Sequence, residues 1–268
     1  MIKVLLEEKY GKEMISNLID NGRINRDNEA YKGTKSEIVN SQMKKMIDLG
    51  LLNESDFNEG KPWAFDVSST YADISKAHRI PIMIVGEDPH VQDNDYQCVY
   101  GFAQKGAEFD KNQIKDKFKK FLIRLFLSQK EIDEMSNNQM CDFLSNFYVT
   151  DLCHFTPQGL DKRKEELKNW TKIKENTARH FLIKEIEAIN PQYIITHGGV
   201  SRNYISKILG VKIVESGLIG NKYYLGKYKD TQIIGISHLG SGHTTGHWNK
   251  YIDLTRESLI KDIIRMKQ

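Results

Sequence analysis

The sequence predicts an α/β fold, a three-layer α/β/α sandwich around a central, mainly parallel sheet of four to five strands. Two observations carry this. From residue 80 onward, apolar runs rich in β-branched and aromatic residues alternate with stretches of helical periodicity, the pattern of parallel strands joined by right-handed crossovers. The strand-like runs also end in glycines, acids and histidines, as expected where the carboxyl ends of strands form a binding rim.

The elements follow in order. Residues 1–60 read as short helices joined by polar loops, the clearest over 35–52 (KSEIVNSQMKKMIDLGLL). They form a helical N-terminal extension that packs on a core of residues 61–268. Strand-like runs occur at 80–85 (IPIMIV), 147–152 (FYVTDL), 193–196 (YIIT), 211–214 (VKIV), 223–228 (YYLGKY) and 231–236 (TQIIGI). Helical periodicity fills 111–127, 130–144, 166–189, 200–209 and 247–266. Asn190-Pro191 ends the helical stretch 166–189, because proline pushes the residue before it out of the α region.

Composition bounds the function. A chain of 268 residues suits one large domain or two small ones. No apolar run approaches the roughly 20 residues of a membrane-spanning helix, and MIKVLLEEKYGKE turns charged too early for a signal peptide. Cys98, Cys141 and Cys153 lie far apart without C-x-x-C spacing. That pattern fits a reducing cytoplasm and supplies too few thiolates for a four-cysteine iron–sulfur cluster. No cofactor and no metal are expected, and a monomer is the simplest state. Net charge is +3, but its distribution is uneven. The run KNQIKDKFKKFLIR (111–124) sets Lys111, Lys115, Lys117, Lys119, Lys120 and Arg124 against Asp116, with apolar residues at helical spacing between them. The basic residues share one exposed face, either a solvated one or one offering phosphate contacts, foremost from Lys117 and Lys120. DKRKEELKNWTKIK (161–174) is a second such cluster.

The strand ends gather unusual chemistry. The run at 80–85 delivers Gly86-Glu87-Asp88-Pro89-His90, the next delivers Asp151 and then His154, the third His197-Gly198-Gly199, and the last Ser237-His238 followed by LGSGHTTGHW. An ordinary acidic turn would account for Asp88, a satisfied core histidine for His238, and a packed aromatic for Phe102. The order of these pieces instead resembles the uracil-DNA glycosylase superfamily. That superfamily places a Gly-Gln/Glu-Asp-Pro loop after its first core strand, then a base-stacking aromatic, an Asn ending the second strand, and a late His-Pro-Ser-Pro loop. GEDPH (86–90), Phe102 in YGFAQ, FYVTDLCHFTP, YIITHGG and IIGISHLGSGH stand in those places, over roughly residues 60–268.

The resemblance implies a DNA-base glycosylase of base-excision-repair type, hydrolysing the N-glycosidic bond of uracil or another modified base. Cleavage builds positive charge on the sugar and negative charge on the departing base, so the site needs a carboxylate near the sugar and a donor at the base. Asp88 suits the first role, directing water and facing the cationic sugar; His238 suits the second. Glu87, His90, Phe102 and Asp151 would then surround a flipped-out base. His154, Gly198, Gly199, Ser241 and His243 would line the nucleic-acid path, with DNA, in single-stranded form or otherwise, as the partner.

Three departures matter. His90 stands where the best-known branch has a tyrosine that excludes larger pyrimidines. Gly242 stands near the position of an apolar wedge that fills the space left in duplex DNA, leaving Leu239 or Trp248 for that task. Asp151 replaces the family's Asn: an ionised carboxylate only accepts hydrogen bonds, whereas uracil presents an acceptor at O4. Either the carboxyl stays protonated or the ligand offers donors. Two other readings stay open. His238, His243 and His247 near Glu87 and Asp88 would suit a metal-dependent hydrolase, and the departures would also suit a glycosylase-like module that binds nucleic acid without cleaving it.

Overall fold

The computed structural model describes residues 2–12, 15, 35–55, 63–67, 69–70, 80–87, 96–98, 123–157, 169–216, 223–236 and 256–257. Its main sheet contains β2 (Ser69–Thr70), β3 (Ile82–Gly86), β5 (Phe147–Asp151), β7 (Tyr193–His197), β8 (Val214–Ser216), β9 (Tyr223–Tyr228) and β10 (Thr231–Ile236). They lie in the order β2-β5-β3-β7-β10-β9-β8. The central four, β5, β3, β7 and β10, run parallel, and β2, β9 and β8 complete the edges antiparallel. The sheet is thus wider than the four to five strands expected. The surplus is at its edges: β2 spans two residues, too few for period-two patterning to register, and the run expected at 211–214 is a strand only from Val214, as β8.

The central strands are apolar at nearly every position because both faces are covered. Met83 and Val85 join Tyr148, Ile194 and Ile233 in the larger core. Ile82 and Ile84 alternate to the other face, with Val149, Ile195 and Ile234. A second, three-stranded sheet orders β4 (Tyr96–Cys98), β1 (Trp63–Val67) and β6 (Phe155–Pro157) as β4-β1-β6. The sequence reading missed β1, although WAFDV carries apolar residues at alternate positions.

The N-terminal helices α1 (Ile2–Tyr10) and α2 (Lys35–Asp48) share the larger core: Leu6, Tyr10, Met43 and Met46 belong to the same cluster as Met83 and Tyr148. Gln42 Nε2 donates to the Tyr10 carbonyl at 2.9 Å, tying the two helices together. The stretch 130–144, read as one helix, is two: α3 (Gln129–Glu134) and α4 (Asn137–Leu144). Each opens with a capping box, Ser128 with Glu131 and Ser136 with Gln139. In each, the serine side chain accepts from the third residue's N–H while that residue's side chain reaches back, which favours a fresh start over continuation.

The long helix behind the sheet is α5 (Trp170–Thr177), a π-helical segment (Ala178–Leu182) and α6 (Ile183–Ile189). Its buried positions are Trp170, Ile173, Lys174, Thr177, Ala178, Phe181, Leu182, Glu185, Ile186 and Ile189. That stripe recurs every four residues, whereas an α-helix turns once in about 3.6. A regular helix would carry the stripe off the sheet. The wider π turn takes up the excess and keeps both ends facing inward. Asn190, in the left-handed conformation with φ 47°, closes the helix before Pro191. Helix α7 (Gly199–Leu209) follows β7. Among the described residues no helix is long and apolar enough to cross a membrane.

Candidate active site

The carboxyl ends of β5, β3, β7 and β10 form one rim. Register sets Gly86 beside Asp151, Val85 beside Thr196 and Ile236 beside His197. Backbone bonds carry the alignment past the strands: Leu152 N–H donates to the Gly86 carbonyl at 3.1 Å, Cys153 N–H to Glu87 at 3.2 Å, and Gly198 N–H to Ile236 at 3.0 Å.

Asp151 and Gly86 are matched by shape. A Cβ on Gly86 would collide with Asp151 Oδ1 and sit 3.2 Å from its Cγ. The carboxylate therefore lies across the space that any other residue at 86 would fill. Close approach of this kind is a specific reason for glycine inside a strand. Asp151 is half-buried, at the rim rather than beneath it.

Glu87 turns the other way, toward the long helix. Its Oε1 accepts from Lys174 Nζ at 2.6 Å. The two acids expected around a base thus leave opposite faces of the sheet end, as the alternation of side chains requires. Lys174 belongs to the basic cluster 161–174, yet its side chain is only 7% exposed, so it does not contribute to a solvated phosphate-facing surface.

Beneath the rim lies a second polar group. Lys9 of α1 donates to Glu185 Oε1 at 2.6 Å and approaches Thr150 Oγ1 at 3.4 Å. Burial alone would push the Lys9 ammonium down in pKa; the Glu185 carboxylate, then Tyr10, outweigh it and hold the group above its ordinary range. His154 stands nearby, 2% exposed and met edge-on by Tyr10, Phe155 and Phe181. Among the described residues neither ring nitrogen has a hydrogen-bond partner. Burial first, and then the Lys9 and Lys45 charges, hold its pKa well below the usual value. The phosphate contact expected of His154 does not fit a ring enclosed in the core.

Gly198 and Gly199 begin α7 at the rim. Gly198 has φ 97° and ψ 165°, a conformation that favours glycine. Ser201 Oγ donates to the His197 carbonyl at 2.8 Å and fixes the turn. The helix start offers N–H groups without an intrahelical partner and the positive end of its dipole. Arg202 lies close by, its guanidinium 3.5 Å over the Tyr224 ring. Sequence reading missed Lys9, Lys174 and Arg202, each a charged residue whose importance rests on a partner distant in sequence.

Asp88, His90, Phe102, His238, Ser241, His243, Lys117 and Lys120 lie outside the described residues, as do Leu239, Gly242, His247 and Trp248. Among the described residues no group of three His, Cys, Asp or Glu side chains stands close enough to hold a metal ion.

A comparison with curated proteins finds no match. The sequence pattern of the Uracil DNA glycosylase superfamily matches residues 73–249, about two thirds of the chain, and spans the strands that build this rim. On that match, and on a mainly parallel α/β sheet whose strand ends carry the expected motifs, the chain belongs to the uracil-DNA glycosylase superfamily.

Proposed function

We propose that this chain hydrolyses the N-glycosidic bond of uracil or another modified base in DNA, and that its preferred base presents hydrogen-bond donors to Asp151. Membership of the superfamily carries a DNA glycosylase-like function in general, with DNA as the kind of substrate. The finer reading rests on one observation: the Asp151 carboxylate laid over the side-chain-free Gly86 at the strand ends. The glycine makes room for the carboxylate to lie across the strand end, and that carboxylate can only accept while ionised. Set against uracil O4, it would oppose two acceptors at a cost of about 1–3 kcal/mol. A base with an exocyclic amine next to a ring N–H turns the same contact favourable.

In this scheme Asp88, which directly follows Glu87, orients water and faces the developing oxocarbenium ion, and His238 donates to the base as it leaves. The test is a panel of single-stranded oligonucleotides carrying uracil, hypoxanthine or 8-oxoguanine, scored by alkali-labile strand breaks. The wild type is expected to release a donor-bearing base faster than uracil, and Asp151→Asn to shift preference toward uracil. Asp88→Asn is expected to lower release by about 10²–10⁴-fold while leaving oligonucleotide affinity within about threefold. Efficient uracil release by the wild type that Asp151→Asn reduces overturns the donor preference. Binding without release of any base supports the non-catalytic reading instead.

A further inference from the structure

Lys174 is a cation in a nearly dry place. Its ammonium lies 5.8 Å from the Trp170 ring centroid and 5.6 Å from that of Tyr204. Tyr204, on α7, is itself fixed by donating its hydroxyl to the Thr171 carbonyl at 3.1 Å. An ammonium taken out of water is costly unless an acceptor meets it. Among the described residues its carboxylate partner is Glu87 alone, at 2.6 Å. The two rings add cation–π attraction, yet only a carboxylate offsets the full charge.

Glu87 is therefore held at two points. Its carbonyl is tied to the chain beyond β5 through Cys153 N–H, and its carboxylate is tied to α5 through Lys174. The carboxylate remains 32% exposed, and its Oε2 has no partner among the described residues. The next residue in the chain is Asp88.

We propose that Lys174 is a positioning residue for base release: by fixing Glu87 from behind the sheet it sets the chain position immediately before Asp88. The proposal rests on the glycosylase reading for its chemistry, but the clamp itself can be tested separately. An ion pair with a sealed lysine suits the task because it has one satisfied arrangement. If Glu87 moves away, the ammonium is left facing aromatic rings without its counter-charge. Misplacing a catalytic group by about 1 Å can cost about 100-fold in rate.

The test combines amide hydrogen exchange with single-turnover release from single-stranded oligonucleotides carrying 8-oxoguanine or uracil. Lys174→Met keeps the aliphatic stem and removes the charge. Its Leu152 and Cys153 amides are expected to exchange faster, while those of Ile195 and Ile233 in the sheet centre stay as in the wild type. Release should fall by about 10- to 100-fold with oligonucleotide affinity little changed, and Lys174→Arg should recover much of both protection and rate. Should Lys174→Met fail to fold, Glu87→Gln approaches the same link from its other end and should give the same exchange pattern. Unchanged Leu152 and Cys153 exchange overturns the proposal whatever the activity, and loosened amides with a wild-type rate remove its role in the reaction. A wild-type protein that releases no base fails the glycosylase reading alone, and the exchange result still decides whether the clamp exists.

Discussion

Two lysine–glutamate pairs of equal length, 2.6 Å each, anchor opposite ends of one long helix, and solvent separates their roles. Lys9 and Glu185 are 1% and 0% exposed. Both charges are out of solvent, and the pair fastens α1 to α6 and, through Thr150, to β5. In the Lys174–Glu87 pair the lysine is sealed and the glutamate is not. One partner serves as a fixed post while the other keeps an oxygen for what lies outside. The same bond is a fastener in one setting and a handle in the other.

The largest effect should come from breaking the sealed pair. Lys9→Met leaves the Glu185 carboxylate buried without its cation and should cost about 3–5 kcal/mol of stability, read as a shift in denaturant midpoint near neutral pH. Replacing Lys9 and Glu185 together with methionine should return most of it, since an apolar pair removes both desolvation costs. A small effect from Lys9→Met would mean that water reaches the pair, and the contrast with Lys174 would collapse.

A smaller effect is expected at the open end. Gly86→Ala drives a methyl group into Asp151 Oδ1 and should cost about 1–3 kcal/mol. Its sharper signature is altered base preference, because Asp151 must move. A variant with wild-type stability and preference would show that the strand ends tolerate displacement at the rim.

The smallest effect is the pH response of the sealed side. His154 is held neutral in the folded protein, facing Lys9 and Lys45, whereas the unfolded chain takes up a proton near pH 6.5. Below about pH 6.5 the unfolded state binds more protons, so stability falls with pH by at most about 1.4 kcal/mol per unit until the folded histidine also protonates. Above that pH this residue contributes no slope. His154→Phe should flatten the acid limb of denaturation curves measured from pH 7 to about pH 5. An unchanged limb would assign it to other groups.

Much of this could be read from the chain, and the reasons differ by element. The parallel strands were legible because burial on both faces leaves continuous apolar runs such as IPIMIV. The rim was legible because a strand's end is where chemistry can be delivered. The break between α3 and α4 was present in two Ser-x-x-Glu/Gln boxes but hidden by apolar spacing that ran through it. The two-residue edge strand β2 was too short for its period to show, and β8 was legible only at its first residue. Lys9 and Lys174 could not be placed, because a lysine reads as surface until its acid is known, and here the acids lie 176 and 87 residues away. Glu87 and Asp151 were both legible as rim acids; that they leave opposite faces depends on the sheet register.

The π turn at Ala178–Leu182 makes the helix a phase setter between two distant fastenings. Each residue of a helix advances the azimuth by about 100°, so losing one residue from this turn would swing Glu185 away from Lys9 if Lys174 stayed on Glu87, or the reverse. A change of a whole turn would restore the angle but shift the ends by about 5 Å along the axis. Insertions and deletions between Lys174 and Glu185 are therefore constrained in angle and in length at once. A single buried helical turn thus keeps the N-terminal helix and the end of β3 in step.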